Sequence, residues 1–171
     1  MLKKQTLNKA TTKNRGRTLL LERTFKASRA ALFKAYTDAE LLKQWWGPHG
    51  WALDYCELNP EQDGTWHYCL KCMDESKDYF GTLSWAKAVY KTIEAPTSIQ
   101  YEEYFSDEAG ELVSKMSTTL VTVRFVEDKD RTRLINEIDF PDKASLQKVL
   151  NMGLVISLNE GWDKLSKLLA K

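Results

Sequence analysis

Three groups of residues have side chains suited to chemistry, and their spacing decides what chemistry is open to them. Cys69-Leu-Lys-Cys72 is a C-x-x-C pair of the sort found in zinc and redox centres. A structural zinc takes four thiolate or imidazole ligands in a tetrahedron, and only Cys56, His49 and His67 remain to complete the set. Residues 69 and 72 are an odd number apart, so on a strand they face opposite sides. His67 shares a face with Cys69 but not with Cys72, and the cysteines therefore read as small buried hydrophobes. Nucleophilic catalysis needs a base and an orienting group beside the nucleophile. His67 and Cys69 would stand side by side on one strand rather than across a cleft. Glu102 and Glu103 are adjacent and would diverge on a strand, whereas paired-carboxylate catalysis needs both at one substrate. They read as a solvated charged face, and no catalytic residue is assigned. Gly47, Gly50 and Gly64 fit neither the dinucleotide fingerprint nor the phosphate loop, so no cofactor is expected.

Other residues suit binding. Arg23 shares strand parity with Leu21 and Phe25, which points it inward. A buried guanidinium needs a partner, either a carboxylate of the sheet or the anionic head group of a ligand. Trp66, Tyr68, Tyr101, Val121 and Val123 fall on alternating positions of strands, and Leu150 and Leu154 at helical spacing. These seven are the candidate ligand-binding residues, expected to line one pocket between a sheet and a helix. Aromatic stripes on strands also make plain core. Apolar pockets with a few polar groups are nonetheless the usual small-molecule sites, and tyrosine hydroxyls there would orient a ligand.

The elements that must hold these side chains follow from periodicity. Arg17 to Phe25 reads as a strand with Leu19, Leu21 and Phe25 on one face. Ser28 is a helix N-cap before Ala30–Tyr36, and Thr37 or Asp38 caps a second short helix carrying Leu41, Leu42, Trp45 and Trp46. Gly47-Pro48 ends it, since proline disfavours helix in the residue before it. The two tryptophans are expected to anchor that helix to the body. From Trp51 to Phe140 the pattern changes to alternation, interrupted by turn residues at Asn59-Pro60, Asp63-Gly64, Ala95-Pro96 and Ser106–Glu111. Leucines at steps of three, four and seven then predict a single helix over 143–169, about 40 Å long at about 1.5 Å per residue. Gly153 and Gly161 inside it cost about 1 kcal/mol each against alanine, so close approach to another surface is expected at both. The order predicts an α+β fold: a curved antiparallel sheet of six to seven strands, two short helices, and one long C-terminal helix on the concave face. A doubly wound parallel sheet is excluded.

The bulk properties agree. A chain of 171 residues suggests one domain. Six of the 25 basic residues and none of the 24 acidic ones precede Glu22, so the remainder carries a net charge of −5. Residues 1–16 are expected to be a disordered basic tail and 17–171 the domain. A nucleic-acid binder should carry its basic stripe on the folded body, so no nucleic-acid partner is expected. Residues 1–18 lack the apolar segment of a secretory signal. No apolar run is long enough to span a membrane, and three cysteines do not suggest a disulfide framework. A cytoplasmic location is expected.

Several motifs in order carry a family resemblance: Phe25-Lys-Ala-Ser28, Thr37-Asp38-Ala-Glu40-Leu41, Trp45-Trp46-Gly47-Pro48, Asp63-Gly64-Thr65-Trp66-His67-Tyr68-Cys69, Ala88-Val89-Tyr90-Lys91, and Gly161-Trp162. Together they resemble the bacterial homologues of the C-terminal domain of the heat-shock protein 90 ATPase activator. The resemblance runs over about residues 18–170. Thr97-Ser98 and Ala86 depart from it, where the family usually has an acidic residue with arginine and a glycine. It implies the START-like, helix-grip fold shared with polyketide cyclases and lipid-transfer domains, whose members mostly bind apolar ligands in their cavity. The expected function is binding of an apolar or amphipathic small molecule of lipid, polyketide or polyphenol type by a monomer or weak dimer. The alternatives are co-chaperone-like binding of a chaperone and a cyclase- or hydrolase-like enzyme. Purified protein is expected to hold no zinc; one equivalent by metal analysis, lost on Cys69→Ser or Cys72→Ser, would contradict this reading.

Overall fold

The computed structural model describes residues 10–114 and 118–171. Their strands form one antiparallel sheet: β1 (Thr11–Arg15), β2 (Thr18–Phe25), β3 (Trp51–Leu58), β4 (Thr65–Cys72), β5 (Leu83–Glu94), β6 (Ser98–Phe105), β7 (Thr119–Asp128) and β8 (Arg131–Asp139). Their spatial order is β1-β2-β8-β7-β6-β5-β4-β3. Two short helices, α1 (Arg29–Thr37) and α2 (Ala39–Trp45), separate β2 from β3, and α3 (Lys143–Asn151) and α4 (Leu154–Leu169) close the chain. The α+β architecture is the expected one, with one strand more than the upper expectation.

The extra strand is β1, within the segment expected to be tail. Arg15 pairs with Thr18 across a two-residue hairpin loop that opens with Gly16 at φ 60°, and such loops demand a positive φ. Every residue of β1 is exposed, so no apolar alternation marks it in the sequence. Lys3, Lys4 and Lys9 of the expected tail lie outside the described residues.

Alternation sets the inward face elsewhere. In β2, Leu19, Leu21, Arg23 and Phe25 are buried and their neighbours are not. Register then aligns inward residues in rows across the sheet. One row is Tyr101, Val121, Ile138 and Leu19; the next is Ile99, Val123, Asn136 and Leu21. One-residue slips would send each row to the opposite face.

The short helices begin where their caps predict. The Ser28 hydroxyl accepts from the Ala31 N–H at 3.1 Å, and the Asp38 carboxylate accepts from the Glu40 and Leu41 N–H groups at 2.9 and 3.2 Å. Trp45 is 2% exposed and its indole N–H donates to the Ala35 carbonyl at 3.0 Å, so it fastens α2 to α1 as expected. Trp46 packs edge-on against Trp66, with ring centroids 4.6 Å apart.

The C-terminal segment differs from the single helix expected. Gly153 adopts φ 88° and separates α3 from α4. Nothing lies within 4 Å of where its Cβ would stand, so this glycine supplies a left-handed turn rather than close packing. Gly161 does allow close approach: a Cβ there would lie 3.4 Å from the Gly47 carbonyl oxygen and 3.7 Å from that of Trp45. The helix α4 crosses the chain at that point. The Trp162 indole N–H donates to the Tyr36 hydroxyl at 3.0 Å, and Trp162 and Leu165 are buried.

Arg23 finds its carboxylate on α4 rather than on the sheet. Its guanidinium donates to Asp163 at 2.8 Å, with the arginine side chain 2% exposed and the aspartate 21%. Breaking such a pair strands one charge, while replacing both partners by apolar groups is often tolerated. Asp163→Ala is expected to cost about 3–5 kcal/mol in urea unfolding, and Arg23→Met combined with Asp163→Leu to recover most of it.

Candidate functional site

Between the concave face and the C-terminal helices lies a partly enclosed cavity of about 150 Å³. Tyr101, Val121 and Ile138 form its floor, Trp46 one wall, and Val149, Leu154 and Leu158 its helical roof. Of the seven residues expected to line it, Tyr101, Val121 and Leu154 do so. Trp66, Tyr68 and Val123 are buried core, and Leu150 packs partly buried against that core. Tyr68 reaches the cavity indirectly, because its hydroxyl donates to Glu103 Oε1 at 2.7 Å.

Glu103 is the residue that sequence reasoning placed wrongly. It does not belong to a solvated face: it lines the cavity, and only Glu102 points the other way, 3.4 Å from the Lys91 ammonium. Parity carried the signal, since Glu103 lies two residues beyond the inward-facing Tyr101. Burial raises the pKa of its carboxyl, and the Tyr68 hydrogen bond acts in the opposite direction. Burial, with the Glu103 charge nearby, holds the phenols of Tyr68 and Tyr101 well above their ordinary value. Thr119, Tyr104 and Asn136 add further polar groups to the lining; Asn136 is 6% exposed, and its Oδ1 is buried with no hydrogen-bond partner.

The other candidates for chemistry lie apart. His67 stands at the opposite face of the sheet, 3.4 Å from the Asp107 carbonyl and against the Trp85 ring at 5.0 Å. Cys69 and Cys72 are both buried, Cys56 is half-buried, and all three thiols are free. Burial raises the thiol pKa of Cys69, which makes it a poor nucleophile. Among the described residues no three His, Cys, Asp or Glu side chains gather into a metal site.

Residues 26–171 match the model of the family described as Activator of Hsp90 ATPase homolog 1-like protein. The chain belongs to this family. Solved structures share its fold along nearly the whole length. A crystal structure of a Mycobacterium smegmatis protein superposes with a TM-score of 0.83 at 20% identity, covering 94% of this chain and 96% of the other. A solution structure from Staphylococcus epidermidis gives 0.81 at 28% identity, covering 94% and 93%. The AHSA1 protein of Silicibacter pomeroyi gives 0.69 at 22% identity, covering 90% and 97%. No curated protein matches the chain. The fold is START-like, and family membership fits ligand-binding or activator-type function in general. No described helix is long and apolar enough to cross a membrane.

Glu103 makes the cavity pH-sensitive. The titratable groups near it are Tyr68 from β4, Tyr90 from β5 and Tyr101 from β6, all neutral near pH 7. Its folded pKa lies above the ordinary 4.5. Its contribution to stability is therefore full below about pH 4.5 and falls as pH rises through the folded value. Glu103→Gln keeps an acceptor for Tyr68 and removes that loss. The stability of the variant relative to wild type is expected to increase from about pH 4.5 upward and then level off, as read from urea midpoints across pH. A difference independent of pH would show that the carboxyl is not displaced from its ordinary value.

Proposed function

We propose that this family member binds a small molecule with an apolar body in the cavity between the sheet and the C-terminal helices. The observation that carries this reading is Glu103: a carboxyl hydrogen-bonded to Tyr68 within an otherwise mostly apolar lining. A packed core gains little from a half-buried carboxyl, because partial desolvation opposes its charged form. A binding site does gain, since one polar group among apolar walls fixes a ligand's orientation.

The magnitudes agree with a modest ligand. A cavity of about 150 Å³ is the size that accommodates a benzene ring. Burying one aromatic ring hides roughly 150–250 Å², which contributes about 4–6 kcal/mol at about 25 cal/mol per Å². Association costs are of similar size, so micromolar affinity, about 8 kcal/mol, needs the polar anchor as well. Lipid, polyketide and polyphenol fragments all meet this description.

A partner-protein reading also has a surface. Met73, Tyr79, Phe80 and Leu83 are about half exposed in and beside the β4–β5 connection, and the family takes its name from an activator of a chaperone ATPase. The cavity reading is preferred because the cavity holds a buried polar group whose cost a ligand would offset.

Leu154→Trp is expected to fill the roof of the cavity. It should weaken binding of ring-sized ligands by tenfold or more, or about 1.4 kcal/mol, while the sheet stays folded. Ligand-induced chemical-shift changes at Tyr101, Val121 and Leu154 measure this directly. Unchanged affinity in the variant would place the ligand elsewhere and favour the partner-protein reading.

A further inference from the structure

Two polar residues of the lining, Glu103 and Asn136, lie at opposite ends of the cavity. Glu103 pairs in register with Thr119, and Asn136 with Val123, which in turn pairs with Ile99. The row of Tyr101, Val121 and Ile138 lies between them. Glu103 is thus four residues beyond Ile99 along β6, about 13 Å at about 3.3 Å per residue. One strand, β7, also separates β6 from β8 across the sheet. No single ligand atom can serve both groups, so a ligand that satisfies them must be elongated.

Both ends ask for hydrogen-bond donors. The Asn136 Oδ1 acceptor is unpartnered and buried, a state that costs about 1–3 kcal/mol. Glu103 receives one hydrogen bond on Oε1, from Tyr68. The rings of Trp46 and Tyr68 lie 5.8 Å apart at this end, with Tyr101 also in the lining. Aromatic faces beside a carboxylate make a favourable site for an ammonium. Among the described lining residues there is no lysine, arginine or histidine, so an anionic head group would meet Glu103 with no cation to offset it.

We infer that the ligand is an elongated primary amine with a ring-sized apolar body, its ammonium at Glu103 and a neutral hydroxyl donor at Asn136. This rests on the cavity-binding reading above. The ammonium neutralises a carboxylate that desolvation otherwise disfavours, and the hydroxyl supplies the proton that Asn136 lacks. The apolar body spans the middle row. A neutral alcohol at the Glu103 end forms only a neutral-to-charged hydrogen bond, weaker than a charge-assisted ammonium–carboxylate pair.

Five compounds sharing an aryl body form the test, each titrated into the 171-residue protein by NMR: 4-(2-aminoethyl)phenol, 2-phenylethylamine, 2-phenylethanol, 4-hydroxyphenylacetate and ethylbenzene. The aminophenol is expected to bind tightest and the amine about tenfold better than the alcohol, the size of a charge-assisted hydrogen bond. The carboxylate is expected to bind worst. Glu103→Gln should erase the preference for amine over alcohol, and Asn136→Leu the preference for aminophenol over amine. Both variants should keep their affinity for ethylbenzene, which also shows that they fold with the cavity intact. A carboxylate binding as well as the amine, or a compound order unmoved by Glu103→Gln, would overturn the inference while ethylbenzene binding upheld the cavity reading. If ethylbenzene and all the others left the cavity resonances unmoved, the cavity reading itself would fall, and this inference with it.

Discussion

The structure depends on how closely α4 approaches the turn after α2. Gly161 has no side chain, and the Gly47 carbonyl would lie 3.4 Å from a Cβ placed there. That approach brings Trp162 within hydrogen-bond reach of Tyr36 and Asp163 within reach of Arg23. The turn is held from α4 by polar contacts as well: Glu160 accepts from the His49 N–H at 2.9 Å, and the Lys164 ammonium lies 3.5 Å from the Pro48 carbonyl. A sheet with one apolar face needs a cover, and here the cover is fastened along a line from Arg23 to Pro48. Trp46 begins the segment under that crossing, and its ring packs edge-on between Trp45 of α2 and the sheet residues Trp66 and Tyr68. The Trp-Trp-Gly-Pro and Gly-Trp motifs are thus the two halves of one junction.

Much of this was legible from residue types. Period-two runs located the strands, Ser28 and the Thr37-Asp38 pair located two helix starts, and inward parity identified Arg23 as buried and in need of a partner. The source of that partner was not legible, because parity says which way a strand residue points but not which element covers it. The strand β1 was hidden because all five of its residues are exposed, and an edge strand without an apolar face leaves no periodic mark. The helix break was hidden for a different reason. The leucine spacing runs on through Gly153, and only its φ of 88° separates a left-handed turn from a tolerated helical glycine.

The candidate site was legible in part. Alternation placed Tyr101 and Val121 on the inner face, and helical spacing placed Leu154 above them. Trp66, Tyr68 and Val123 have the same inward parity but lie under neighbouring side chains, a matter of packing depth that a linear pattern does not encode. Glu103 was misread because two adjacent carboxylates invited one judgement for both. On a strand the two belong to different environments: Glu102 beside Lys91 in solvent, Glu103 beside Tyr68 in the cavity.

Where local rules and the global fold disagree, function is the usual reason. The inner face of this sheet carries a charged or amide side chain at Arg23, Asn136 and Glu103. The break at Arg23 is resolved within the fold, by a carboxylate at 2.8 Å. Those at Asn136 and Glu103 are not resolved in the same way. Asn136 keeps an unpartnered acceptor, and the single hydrogen bond from Tyr68 leaves the pKa of Glu103 raised. The resolved break lies under α4, where the structure is closed. The two unresolved ones lie on the walls of the space that α3 and α4 leave open. Polar groups left wanting around a gap beneath the helices are the arrangement a ligand completes, and their separation along the strands sets the length that ligand must have.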